Sequence, residues 1–244
     1  MSTTITNALP DIPRLYTGIC EWLACVVYLL VIYRRVPLRR TIAVGLIGLP
    51  AMIAIQYFDG VMPIWFWVIG MLLAFAGMWA IILFGAGTGK REGMYIAARA
   101  FVLAELVASL HWQLVMFLNL GENPERAQLF SLLLLAVTYA VCFTVAWLIE
   151  RGNFANDAPT VATAQLAIGT GAITIVTFAM SNLSFVSTNT PFSGTVGQEV
   201  FYIRTLVDFC GFAILYAQQE QARRMEASAE LTSINAQLES QHQE

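Results

Sequence analysis

The sequence predicts an all-α integral membrane protein: a seven-transmembrane helix bundle (N-out, C-in) followed by a C-terminal cytoplasmic helix of coiled-coil character. Three observations carry this expectation. Of 244 residues, 58% are apolar and only 12% charged, about half the charged share of a soluble domain. With a mean hydropathy of +0.66, the chain lacks the polar residues needed to cover a core in water. Seven apolar runs are each long enough to cross about 30 Å of hydrocarbon, and Lys and Arg fall almost wholly on one side of them.

The runs cover residues 15–33, 41–58, 63–84, 94–118, 128–149, 161–183 and 199–217. Each reads as helix, because a helix satisfies its own backbone in lipid and the period-2 alternation of a barrel strand is absent. The first is not a secretory signal. No basic stretch precedes it, Glu21 interrupts it, and Arg34-Arg35 closes it where a cleavage site would stand. On the fourth, Ala100, Ala104 and Ala108 form a small-xxx-small ridge that permits close helix approach. The sixth contains Gly169-Thr170-Gly171, the one candidate for a break. The seventh carries Arg204 and Asp208, each costing about 3 kcal/mol at mid-membrane, against a return of about 3–5 kcal/mol from its strongly apolar residues. It is marginal alone and is expected to insert only as part of a bundle, polar face inward.

Orientation follows from charge. Arg34, Arg35, Arg39 and Arg40 follow the first run, Lys90 and Arg91 the third, Arg151 the fifth, and Arg223 and Arg224 the seventh; the alternate side holds only Arg14 and Arg126. Such an asymmetry places the N-terminus outside and the C-terminus inside. The chain therefore divides into a membrane domain, residues 1–217, and a cytoplasmic connector, 218–244. The connector has no Gly or Pro and is rich in helix formers. Leu231, Ile234 and Leu238 fit a and d heptad positions, which suggests a parallel homodimer through this helix. No stop signal follows, so the helix is expected to lead into a further domain.

Six ionisable residues fall at membrane depth: Glu21, Arg99, Glu105, His111, Arg204 and Asp208. Such groups are costly in lipid and face a bundle interior or a wet cavity, so all six are candidates for a ligand site or for a polar core that fixes helix packing. On the assigned topology Glu21, His111 and Arg204 lie in the outer third, Glu105 and Asp208 near the middle, and Arg99 nearer the cytoplasm. Arg204 and Asp208, four apart, share a face and can pair; Glu21 could reach Arg204 if the first and seventh helices are neighbours. His111 has no partners at metal-ligand spacing. The external loop Ser184–Gln198 could form a lid over an outward pocket or be plain solvated chain.

Several activities find no support. Cys20, Cys25, Cys142 and Cys210 lie in apolar runs without a CxxC pair, as small buried hydrophobes do. With a net charge of −3, nothing drives nucleic-acid binding. The run Gly85–Gly93, GAGTGKREG, fails as a P-loop: Phe84 stands at the first glycine and Arg91 at the Ser/Thr. It reads instead as a flexible cytoplasmic loop. The only lysine, Lys90, excludes a retinal Schiff base on the seventh helix, and hydrolase motifs are absent. No catalytic residue, metal or cofactor is expected.

Two stretches carry a family resemblance: AARAFVLAELVASLHWQL from Ala97 to Leu114, and YIRTLVDFCGFAILYAQQEQ from Tyr202 to Gln221, with NLSF and NTPFSG between Asn182 and Gly194. Together they resemble the N-terminal membrane sensor region of bacterial GHKL-type sensor histidine kinases, loosely like the quorum-sensing peptide receptors. The resemblance implies a sensory input module of a two-component system in the bacterial cytoplasmic (inner) membrane. Its partners would be the lipid bilayer, a second copy, and an extracellular small-molecule or peptide ligand. The phosphoacceptor and ATP-binding boxes are absent from these 244 residues, so catalysis is not expected of them. The rival reading is a small secondary transporter using the buried charges, for which inverted halves and paired broken helices would be required. A passive anchor for a coiled coil would leave those charges unexplained.

Overall fold

A computed structural model describes residues 12–32, 36–61, 67–118, 124–153, 164–186 and 194–242. All regular structure among them is helical: α1 (Arg14–Ile32), α2 (Leu38–Val61), α3 (Trp67–Ala86), α4 (Lys90–Leu118), α5 (Pro124–Asn153), α6 (Ala164–Val186) and α7 (Gly194–His242). Five of these, α1 to α5, are long and apolar enough to cross a membrane. The described apolar stretch of α6 is Ile168–Met180.

Local chemistry sets the helix starts. Pro13, Pro37 and Pro124 stand at or just before the first turns of α1, α2 and α5, where proline's fixed φ suits the helix and its missing N–H has no intrahelical role. The carbonyls of Pro13 and Pro37 accept from Tyr16 N (2.8 Å) and Arg40 N (2.9 Å). Pro50 lies inside α2, a placement that membrane helices tolerate when neighbours satisfy the freed carbonyl.

The run 85–93 is not a flexible loop. Helix α3 continues to Ala86 and α4 begins at Lys90, so the connection is three residues long. Gly87 reverses the chain at φ 65°, a conformation open to glycine because it has no Cβ. The start of α2 ties down the end of α3: Arg40 Nε donates to Phe84 O and Thr41 Oγ1 to Gly85 O, both at 2.8 Å.

Helix α4 is the axis. In its spanning stretch 83% of residues are buried, against 50% or less in α1, α2, α3 and α5. It packs against α1, α3, α5, α6 and α7, while α2 lies outside in the cleft between α1 and α3. The alanine ridge explains the position: Ala100, Ala104 and Ala108 are fully enclosed, and α1 comes close enough for Cys20 Sγ to donate to Ala104 O at 3.3 Å. Close approach recurs between α1 and α2, where a Cβ on Gly18 would stand 3.2 Å from the Ile53 Cα.

Helix α7 runs 49 residues without interruption from the bundle into a solvent-exposed rod. The compositional step at 217–218 is not where packing ends. Gln219 is buried and Ala222 still rests on the core. From Met225 the described side chains are exposed. The end of the bundle where α7 leaves, called the exit end below, also carries Arg39, Arg40, Lys90, Arg91, Arg151, Arg223 and Arg224. Arg34, Arg35, residues 187–193 of the expected lid, and the Arg126 side chain lie outside the described residues.

Candidate functional site: two buried polar layers around α4

Polar residues of the bundle gather at two heights, both centred on α4 and both walled by α7. The layer farther from the exit joins four helices. Arg204 Nη2 on α7 meets Glu105 Oε2 on α4 at 2.6 Å, and Ser109 Oγ, one turn along α4, donates to Asp208 Oδ2 at 2.8 Å. The i,i+4 spacing thus puts Arg204 and Asp208 on the α4-facing side of α7, opposite an i,i+4 pair on α4. Beside them, Gln56 Nε2 on α2 donates to both carboxylate oxygens of Glu21 on α1, at 2.8 and 2.9 Å. Glu21 is therefore held by α2 and not by Arg204, because α1 packs on α2 and α4 while α7 packs on α4 and α6. Nearer the end opposite the exit, Arg14 Nη1 reaches Asp59 Oδ2 at 3.2 Å.

His111, fully enclosed, sits against the ring edges of Tyr16 and Tyr139, with centroids 6.3 and 5.8 Å away. Neither ring nitrogen has a hydrogen-bond partner among the described residues. An orphaned buried imidazole is costly, and its packing between two tyrosines from α1 and α5 is that of a neutral aromatic spacer. Among the described residues no group of three or more His, Cys, Asp or Glu side chains could hold a metal ion.

The second layer lies where α7 leaves the bundle, and Arg99 is its hub. Its Nη2 contacts Glu150 Oε1 of α5 at 2.6 Å, and its Nη1 donates to Leu215 O of α7 at 2.8 Å and to Tyr95 Oη at 3.3 Å. Tyr28 Oη of α1 donates to the same Glu150 oxygen at 3.0 Å. Tyr95 in turn donates to Gln219 Oε1, so the buried arginine connects through a phenol to α7 one turn beyond Leu215. Thr170 Oγ1 of α6 donates to Gln218 Oε1 at 3.3 Å. Arg99 and Glu150 are both essentially without solvent contact; in such a setting the pair holds only if further hydrogen bonds satisfy it. Tyr28, Tyr95 and the Leu215 carbonyl supply most of them, and Arg99 Nε is left without a partner among the described residues.

All six residues singled out from the sequence are buried. The structure joins Glu105 to Arg204 and places Asp208 beside them, leaves Arg99 in the exit layer, and puts Glu21 and His111 at the α1 side. Sequence reasoning did not find Glu150, Gln56, Asp59, Tyr28, Tyr95 or Gln219. Glu150 was hidden next to Arg151 at a helix end, where an acid normally faces water; an unpaired Arg99 at depth was the one signal that an acid must exist to meet it. Helix α6 passes through Gly169-Thr170-Gly171 unbroken, so the one candidate break is not a break.

No family model, no curated protein and no solved structure matches this chain.

Proposed function

We propose that this chain is the membrane-embedded sensory input module of a two-component sensor histidine kinase, seated in a bacterial cytoplasmic membrane with seven spans, its N-terminus outside and its C-terminus inside. The observation that carries the proposal is the continuity of α7. One helix contributes Arg204 and Asp208 to the first polar layer, Leu215 O, Gln218 and Gln219 to the second, and then extends as a free rod to His242. A change in packing at either layer must displace or rotate that rod.

Signalling in this arrangement requires two packings of similar energy that a ligand biases by differential contact. Polar layers suit this role, because buried hydrogen-bonded pairs are discrete: they are made or broken, not gradually deformed. The rod also exposes a seam, with Leu231 at 63%, Ile234 at 43% and Leu238 at 50%. These are heptad positions that a second copy would cover in a parallel homodimer. In this reading the chain itself binds and transmits, without catalysis. The transporter alternative draws on the same charges but gains nothing from α6, which offers no broken helix.

The test uses Arg204→Leu, Asp208→Leu, Glu105→Leu and the Arg204→Leu/Glu105→Leu double variant, each fused to a reporter kinase, with membrane abundance measured beside output. The proposal expects shifted, locked-on or locked-off output at near-normal abundance in at least one single variant, and recovery towards wild-type bias in the double. Output that falls strictly in proportion to abundance in every variant would reduce the layer to structural glue.

A further inference from the structure

Five carboxyl groups are buried in the bundle among the described residues: Glu21, Asp59, Glu105, Glu150 and Asp208. Three arginines meet them, and each is engaged by an acid other than Glu21. Arg14 holds Asp59 at 3.2 Å, Arg99 holds Glu150 at 2.6 Å, and Arg204 holds Glu105 at 2.6 Å. Acids are therefore in excess. Asp208 stands one turn from Arg204 on α7 and accepts from Ser109, so it shares the field of that guanidinium. Glu21 has no such neighbour. Its hydrogen-bonding partner among the described residues is the Gln56 amide, whose Nε2 spans both of its oxygens at 2.8 and 2.9 Å.

The surroundings offer Glu21 no further cation. Glu21 and Gln56 are each 1% exposed. On α1 itself stand Tyr16, Cys20, Cys25 and, about 10 Å back along the helix, Arg14, which Asp59 holds. Helix α2 adds Asp59 beside Gln56, and α4 adds Glu105 and His111; α5 contributes Tyr139 and Cys142, while α3 carries no titratable side chain among its described residues. An ionised Glu21 would thus rest on one neutral amide, with the acids Glu105 and Asp59 as electrostatic neighbours. A carboxyl group buried on such terms keeps its proton, because neutralisation costs less than an unpaired buried charge.

The amide gives a second, independent sign. Gln56 Oε1 is buried and has no hydrogen-bond partner among the described residues. Facing a carboxylate it can find none, since both carboxylate oxygens only accept. A neutral acid changes this. Its O–H donates to Gln56 Oε1 while Gln56 Nε2 donates to the other oxygen, and a turn of the amide in its own plane closes a two-bond ring with no orphaned atom.

We infer that Glu21 is a proton-binding site, holding one proton between α1 and α2 in a ring closed by Gln56. Loss of that proton leaves a bare carboxylate and returns the orphan at Gln56, so the deprotonated bundle favours a packing in which α1 and α2 part. Such a site supplies the two discrete packings that signalling requires. That consequence rests on the sensory reading; the site itself does not.

The test is infrared spectroscopy of the whole chain in phosphatidylcholine nanodiscs, with glutamate isotope-labelled at its side-chain carboxyl so that its bands separate from those of aspartate and lipid ester. At about pH 7, where an exposed glutamate is ionised, the spectrum should hold the C=O band of a neutral glutamic acid. Glu21→Gln should remove the band and Asp208→Asn should keep it. Gln56→Leu, which retains the acid, should move it to higher frequency as the carbonyl loses its donor. Folding then takes up a proton, so between about pH 6 and about pH 8 the wild-type unfolding midpoint should fall with rising pH, and in Glu21→Gln that slope should flatten. Three results would overturn the inference: no acid band at neutral pH, a band that survives Glu21→Gln undiminished, or equal pH slopes for wild type and Glu21→Gln. Reporter output separates the two proposals, since an acid band with output indifferent to pH leaves the site standing and removes its link to signalling.

Discussion

Removing Glu150 should damage this protein more than removing Arg99, although the two form one ion pair. Glu150→Leu leaves Arg99 with Leu215 O and the Tyr95 hydroxyl, both neutral acceptors, and a guanidinium stays charged at any accessible pH. Arg99→Met leaves a carboxyl group beside the Tyr28 donor, and a carboxyl group can shed its charge by taking a proton. Breaking a buried pair from one side costs about 3–5 kcal/mol when an uncompensated charge remains, so Glu150→Leu should fall in that range and Arg99→Met below it. The double variant removes both charges and costs the Tyr28 hydroxyl its Glu150 acceptor, a loss of about 1–3 kcal/mol, while the Leu215 carbonyl keeps its place inside the continuous helix α7. At about 2–4 °C per kcal/mol for a chain of this size, the Glu150→Leu midpoint should drop by roughly 6–20 °C. The assay is thermal unfolding in lipid nanodiscs, followed by cysteine accessibility at Cys20, which is buried in the folded chain. Equal losses for the two single variants, or a double variant worse than Glu150→Leu, would refute the claim that an uncompensated charge dominates this layer.

Three further outcomes are expected. Gly45 has open space at its Cβ position, whereas Gly18 faces the α2 backbone at 3.2 Å; Gly45→Ala should therefore raise stability by up to about 1 kcal/mol of helix propensity and the unfolding midpoint with it, while Gly18→Ala lowers both. His111→Phe keeps the contacts to Tyr16 and Tyr139 and removes two unpartnered nitrogens, so it should be neutral or stabilising by about 1 kcal/mol; a large loss of folded protein would mean that a nitrogen is used. Cysteine at Ile234 should crosslink two copies in membranes, and a scan across 227–241 should peak at Leu231, Ile234 and Leu238; a flat scan would remove the coiled-coil dimer.

What the sequence made legible was what depends on neighbours along the chain. Apolar runs placed all seven helices to within a few residues, apart from the longer ends of α5 and α7, because crossing or packing in an apolar medium demands a minimum apolar length. The alanine ridge was readable for the same reason. The pairing of polar groups was not, because it depends on which helices touch. Arg99 meets Glu150 across 51 residues and Tyr95 meets Gln219 across 124, and nothing in the local pattern orders the helices around α4. Glu21 illustrates the limit: its burial followed from its position, but its partner Gln56 followed from α1 lying on α2. The step in composition at residue 218 does not coincide with the end of packing, since Gln218 and Gln219 are polar yet serve the bundle as hydrogen-bonding residues inside the exit layer. Among the described residues five helices are long and apolar enough to cross a membrane; α6 and α7 both pack against α4.

The central claim, that α7 carries displacement from the polar layers into the exit rod as one rigid helix, is tested most directly by changing the rod's phase. Alanines inserted after Met225, from one to seven, turn everything downstream by about 100° per residue while keeping it helical. With a reporter kinase fused to the rod, output should swing between high and low as residues are added and return near wild type at about seven, when the heptad face is restored. Output that is indifferent to insertion length, at constant membrane abundance, would contradict transmission through α7.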